Sequence, residues 1–71
     1  MRTVNINTEY IKLDQLLKWA EVTGTGSESK ELIVLGKVAV NGEVILQRGK
    51  KIRNGDVVEV GREKFVVEYT G

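Results

Sequence analysis

The spacing of hydrophobic residues changes along this chain and limits the folds that it can adopt. From Leu13 the apolar residues recur every three or four positions, as on one face of a helix. From Val38 onward they alternate with polar residues, as in half-buried strands. The pattern therefore predicts helices before strands. The first helical face consists of Leu13, Leu16, Leu17 and Ala20.

Shorter signals complete the expected order of elements. Residues 2–6 alternate as a strand at a sheet edge, and Ser27 is expected to cap a second helix that ends before Gly36. Asn-Gly pairs at residues 41–42 and 54–55 predict turns between strands. We expect an α+β domain in which two short packed helices lie against a small antiparallel sheet, with an extra N-terminal strand.

The length and composition exclude several classes of protein. A chain of 71 residues builds one core, so we expect a single domain over residues 1–71. The absence of Cys and His leaves out disulfides, thiol nucleophiles, imidazole bases and the usual zinc ligands. The carboxylates are scattered without metal-binding spacing, and no phosphate-binding glycine loop is present. We expect neither an enzyme nor a carrier of a cofactor or metal ion.

No part of the sequence predicts a membrane segment. The longest apolar run, residues 32–35, is far shorter than the roughly 20 residues of a transmembrane helix. The N-terminus has no apolar core of the kind found in secretory signals. We therefore expect a cytoplasmic protein without a membrane partner.

Positive charge is concentrated in one segment of a nearly neutral chain. Residues 37–53 hold five of the 11 basic residues and one acid, a net charge of +4, whereas the whole chain carries +1. Four of these cations fall within six residues and repel one another unless an anion neutralises them. The segment favours binding to RNA, and the alternative is a charged edge strand that resists aggregation. The cations are Lys37, Arg48, Lys50, Lys51 and Arg53.

Further candidate residues lie outside this cationic segment or at its start. Lys12 opens the first helix, where a cation opposes the helix dipole, and is expected either to bind RNA or to pair with Glu9 or Glu28. Lys30 lies two helical turns before Lys37, so the two lysines are expected either to share a phosphate-binding face or simply to be solvated. Asn41 is expected to form its turn and also to touch RNA. Trp19 either stacks on an unpaired base or covers one end of the core.

The order of these motifs resembles a known family. Lys12, Leu13 and Asp14 open the first helix, and Leu-Ile, Gly and Val-x-Val-Asn-Gly follow within residues 32–42. The pattern Gly-Asp-x-hydrophobic-x-Val occupies residues 55–60. This arrangement resembles the RNA-binding domain named after ribosomal small-subunit protein S-four, also called the alpha-L motif. The short form with a preceding strand is most similar to the free-standing YaaA/YbcJ-type members.

The resemblance implies a non-catalytic monomer that binds structured ribosomal RNA, a ribosomal precursor or ribosomal particles. Its core motif would span about residues 12–60. The family usually has Ser-Arg at the start of the second helix, whereas this chain has Gly26 before Ser27, and Glu31 occupies a further arginine position. Phosphate binding is therefore expected to have moved to the cations at residues 48–53.

Two other functions are open at this point. Small β-grasp sulfur carriers share the Asn-Gly hairpin, the Gly-Asp segment and a C-terminal Gly, although this chain ends in Thr70-Gly71 and not in two glycines. A thiocarboxylate on Gly71 would mark that function. A protein-interaction adaptor would instead use an apolar patch formed by Trp19, Val34 and Leu35.

Overall fold

Two short helices lie on one side of a five-stranded sheet in the computed structural model, which describes residues 1–71. The elements are β1 (Arg2–Ile6), β2 (Tyr10–Lys12), α1 (Leu13–Trp19), α2 (Gly26–Val34), β3 (Val38–Val40), β4 (Glu43–Val44), β5 (Lys51–Arg53), β6 (Val57–Val60) and β7 (Glu63–Tyr69). The large sheet has the strand order β1-β7-β6-β3-β4. Strands β2 and β5 form a separate small sheet. The structure confirms the predicted α+β class.

The large sheet is mixed, which differs from the expected antiparallel sheet. β1 lies at its edge, as predicted, but pairs parallel with β7, with Arg2 beside Phe65 and Ile6 beside Tyr69. All other strand pairs are antiparallel. A hairpin forces antiparallel pairing on its two strands. No hairpin joins β1 to β7, because both helices and five strands lie between them in the chain.

A single hydrophobic core of 14 buried residues fills the space between the helices and the large sheet. The predicted face of the first helix is correct, because all four of its residues are buried. Alternate residues of β6 and β7 face the same core, and Phe65 is completely buried there. Burial of each large apolar side chain contributes about 1.5–3 kcal/mol. This core fixes the position of α1, on which the small sheet rests.

The second helix begins earlier than expected. Thr25 is its N-cap, and the Thr25 hydroxyl accepts a hydrogen bond from the Glu28 backbone N–H at 3.2 Å. The prediction of Ser27 as the cap is wrong because Thr25-x-x-Glu28 has the spacing of a capping box, and the Glu28 carboxylate accepts from the N–H of Gly24, one residue before the cap. The predicted C-terminal end is correct, since Gly36 has φ +74° just after the helix. Neither helix is long and apolar enough to cross a membrane.

The first predicted turn has the expected conformation. Asn41 and Gly42 both have positive φ, 52° and 84°, as a type I′ hairpin turn requires. The returning strand β4 is only two residues long, shorter than the expected residues 43–46. The second turn, at residues 54–55, connects β5 to β6 and thus joins the small sheet to the large one.

Candidate nucleic-acid interface

The small sheet brings together three cations and one aromatic ring. β2 and β5 pair antiparallel, with Ile11 opposite Ile52, and both isoleucines pack on the core. Side chains alternate along a strand, so the flanking residues of both strands share the solvent face. We name these residues the small-sheet cluster: Tyr10 opposite Arg53, and Lys12 opposite Lys51.

The ring of Tyr10 lies close to two of these cations. The Lys51 ammonium nitrogen is 4.8 Å from the ring centroid, and the central guanidinium carbon of Arg53 is 5.5 Å from it. A cation near an aromatic face is stabilised by about 0.5–1 kcal/mol at an exposed site. Tyr10 is 38% exposed. The ring therefore offsets part of the repulsion between the cations while remaining accessible.

The loop before β5 is held against the start of α1. Leu13 N–H donates to the Lys50 carbonyl at 2.9 Å, and Asp14 N–H donates to the Arg48 carbonyl at 3.1 Å. Residues 48–53 therefore run beside residues 10–14. The backbone of Arg48 and Lys50 thus lies next to the small-sheet cluster. The Lys50 side chain is half-buried and lines a groove with residues 43–47.

No carboxylate neutralises the cations of the small-sheet cluster. The one ion pair in the protein joins Lys64 to Glu59 at 3.9 Å. Asp56 accepts a hydrogen bond from the Arg53 backbone N–H at 2.8 Å but forms no ion pair with the Arg53 guanidinium. The acidic residues do not gather into a group of three that could hold a metal ion. The cluster is thus a local concentration of unpaired positive charge.

The other predicted lysines lie on different elements. Lys30 is exposed on α2, and Lys37 is exposed in the connection from α2 to β3. The helix ends at Val34, and Gly36 then turns the chain. Lys37 therefore lies outside the helix, as the position of Gly36 predicts, and a phosphate-binding face shared with Lys30 stays a prediction. Neither lysine forms an ion pair.

Trp19 covers the outer edge of β1. Its indole N–H donates to the Asn5 carbonyl at 2.7 Å, and the ring is 53% exposed. A hydrogen bond at the end of the core agrees with the structural alternative for this residue, and base stacking by Trp19 stays a prediction. Trp19 and Leu35 line different grooves, although Leu35 and Val34 are both exposed. The grouping of these three residues in one apolar patch therefore has no support.

Asn41 connects two turns of the fold. Its side-chain oxygen accepts from Val57 N–H at 2.9 Å, and its side-chain nitrogen donates to the Asp56 carboxylate at 3.1 Å. The same carboxylate accepts from the Arg53 N–H. The Asn-Gly and Gly-Asp motifs thus meet in space and fix the end of β5. The Asn41 side chain thus has a structural role, and its contact with RNA stays a prediction.

Substituting Asn41→Ala is expected to lower the free energy of unfolding by about 1–3 kcal/mol. Each lost hydrogen bond contributes about 0.5–1.5 kcal/mol, and Ala adopts positive φ poorly. Asn41→Gly is the matched variant, because it loses the same bonds but tolerates the backbone angle, and it should lose less. Urea unfolding measures both, and a change below about 0.5 kcal/mol for Asn41→Ala would contradict this role.

Comparison with known proteins identifies the family of this chain. The family model described as S4 domain matches residues 4–68. The chain belongs to the S4 domain family. This is the S-four-type domain that the sequence motifs resemble. Membership in this family leaves the β-grasp alternative without support.

Two known proteins are similar to this chain. The protein named probable ribosome maturation protein RlbA of Bacillus subtilis (strain 168) is 42% identical over 57 residues, which cover 80% of each chain. The crystal structure of the 30S ribosomal protein S4e from Thermoplasma acidophilum matches with a TM-score of 0.69 at 17% identity. That match covers 82% of this chain and 31% of the S4e chain, and it shows the fold alone.

Tyr10 is not among the residues predicted from the sequence. The first predicted strand covers residues 2–6 and the helical spacing begins at Leu13, so the short strand between them was not predicted. The alternation Tyr-Ile-Lys at residues 10–12 is the only local signal of this strand. Its partner, β5, lies far along the chain, and therefore the pairing that makes Tyr10 part of the site is not visible in the local sequence.

Proposed function

We propose that this S4 domain is a non-catalytic module that binds structured RNA, either ribosomal RNA or a ribosomal precursor. It acts as a monomer in the cytoplasm, on free RNA or on ribosomal particles. The observation that carries the proposal is the small-sheet cluster, whose cations are exposed and have no carboxylate partner. The printed name of the B. subtilis relative supports the ribosomal context.

The arrangement of the cluster suits phosphate groups. Lys12 and Lys51 are directly opposite each other, and like charges in that position destabilise a sheet unless an anion lies between them. Arg53 offers a planar fork that can bind a phosphate through two hydrogen bonds, whereas each lysine acts as a point charge. Several phosphates of one RNA backbone can therefore be neutralised along this surface.

The salt dependence of RNA binding tests this function. Binding of a structured ribosomal RNA hairpin is measured by fluorescence anisotropy over a range of salt concentrations. Each neutralised phosphate contributes about 0.7–0.9 to the slope of log affinity against log salt. Replacing the four cations of residues 48–53 with Ala is expected to reduce this slope by about two to three units, because Lys50 is half-buried and less free than the other three to contact a phosphate.

A control variant separates the site from general charge. The double variant Arg62→Ala with Lys64→Ala removes two cations near the turn between β6 and β7. This turn is at the opposite end of β6 from the turn that leads to the small sheet. This variant should keep nearly the full slope. An unchanged slope in the four-residue variant, or an affinity for RNA that does not depend on salt, would contradict the proposed function.

A further inference from the structure

A groove lies beside the small-sheet cluster and shares two residues with it. Its lining consists of residues 7–12 and Gln15, and it therefore includes Tyr10 and Lys12. The side-chain amides of Asn7 and Gln15 are exposed and form no hydrogen bond within the protein. The groove thus combines an accessible aromatic ring, unpaired cations at one side and free amide groups.

A ligand that contacts all of these groups must have three properties. It must carry an anion for the cations, a flat π surface for the ring, and an edge of donors and acceptors for the amides. A nucleotide has all three, because aromatic side chains stack on bases, and Asn or Gln side chains can form paired hydrogen bonds to an adenine edge. The Glu9 carboxylate also lines the groove and can accept a hydrogen bond from an exocyclic amino group.

The base must be unpaired to use this groove. In an A-form duplex the base faces are covered by their neighbours, and side chains reach mainly phosphates and 2′-hydroxyl groups. A phosphate that attracts Lys51 and Arg53 also draws them from the Tyr10 ring and leaves the ring open to a base. One nucleotide can therefore replace both contacts that the Tyr10 ring makes with Lys51 and Arg53, because its phosphate binds the cations and its base stacks on the ring.

We propose that the groove and the small-sheet cluster together bind one unpaired nucleotide of the RNA. Its base stacks on Tyr10, its edge faces Asn7 or Gln15, and its phosphate contacts Lys12 and Lys51. This inference rests on the proposed RNA-binding function and adds a preference for bulged or looped nucleotides over a continuous duplex.

The experiment compares two RNA hairpins that share one stem, each closed by a non-nucleotide linker so that the loop offers no unpaired base. In the first hairpin a fluorescent adenine analogue is bulged out of the stem, and in the second the same analogue is paired. Tyr10→Leu removes the π surface and Tyr10→Phe keeps it, and Tyr10 is exposed enough for both to fold. Tyr10→Leu should weaken binding of the bulged hairpin about 5- to 150-fold and leave the paired hairpin nearly unchanged.

Fluorescence of the analogue supplies a second measurement on the same samples. It should change when the bulged hairpin binds the wild-type protein or Tyr10→Phe, and change little with Tyr10→Leu. Equal weakening of both hairpins by Tyr10→Leu would overturn the nucleotide site, because Tyr10 would then act only by holding the cations. In that case salt-dependent RNA binding would still stand, whereas failure of wild-type protein to bind either hairpin would overturn both proposals.

Discussion

Replacing both Lys51 and Arg53 with Glu is expected to reduce RNA affinity by at least about 100-fold near physiological salt. The two substitutions remove two of the proposed phosphate contacts and place carboxylates on the face where phosphates would bind. They also leave Lys12 opposite a Glu, and this cross-strand pair would neutralise the last cation of the cluster. Both altered side chains are exposed, and the fold should therefore persist. Anisotropy titration with an RNA hairpin measures the loss.

The chain offers a closely matched control for this variant. Arg62 and Lys64 are also one arginine and one lysine separated by a single residue. Replacing each of them with Glu changes the net charge from +1 to −3, since two cations are lost and two acids are gained, as in the first variant. The control breaks the Lys64–Glu59 ion pair, but an exposed pair contributes little.

The comparison of the two variants decides between local and overall charge. If the small-sheet cluster binds the RNA, the Arg62 and Lys64 variant should keep most of its affinity, because exposed charges further away than the Debye length of about 8 Å are largely screened. Similar losses in both variants would mean that net charge governs binding and that the cluster is not the site. Circular dichroism of both proteins checks that neither loss reflects unfolding.

Features that depend on neighbouring residues could be predicted from the sequence. The buried face of α1 follows from helical spacing, and the turn at Asn41 follows from the ease with which Asn and Gly adopt positive φ. The prediction of the helix cap was wrong for a local reason. Thr25 and Ser27 both carry a hydroxyl group that can cap the helix, and only Thr25 has a Glu three positions later. Local chemistry thus determines both the correct predictions and this error.

Features that depend on distant pairing could not be predicted in the same way. Strands of three residues, such as β2 and β5, are too short to show a clear period, and only the folded chain shows that they pair. Lys12, Lys51 and Arg53 were each candidates, but their shared face and the role of Tyr10 arise from this pairing. The parallel contact of β1 with β7 has the same origin.

Ile52→Ala is expected to cause the largest loss of stability among the residues near the site. Ile52 is 0% exposed and lies between the two cations of β5. Replacing a buried Ile with Ala costs about 2–5 kcal/mol. A domain of this length has a total stability of about 4–11 kcal/mol, and the variant should therefore lose a large part of it. Urea unfolding followed by circular dichroism measures the change.

Graded and exposed substitutions make this test specific. Ile52→Val removes one methylene group and should cost about 0.5–1.5 kcal/mol. Leu46→Ala truncates a side chain that is 61% exposed and should change stability by less than about 0.5 kcal/mol. A loss below about 1 kcal/mol for Ile52→Ala would mean that the small sheet is not firmly packed on the core.

The same substitution connects the core to the binding surface. Lys51 and Arg53 owe their common direction to the strand that Ile52 anchors, since side chains alternate along it. If that anchor is weakened, RNA affinity should fall even under conditions in which the protein is still folded, although no charge has changed. An Ile52→Ala protein that is destabilised but binds RNA with wild-type affinity would show that the cations do not need the small sheet to act together.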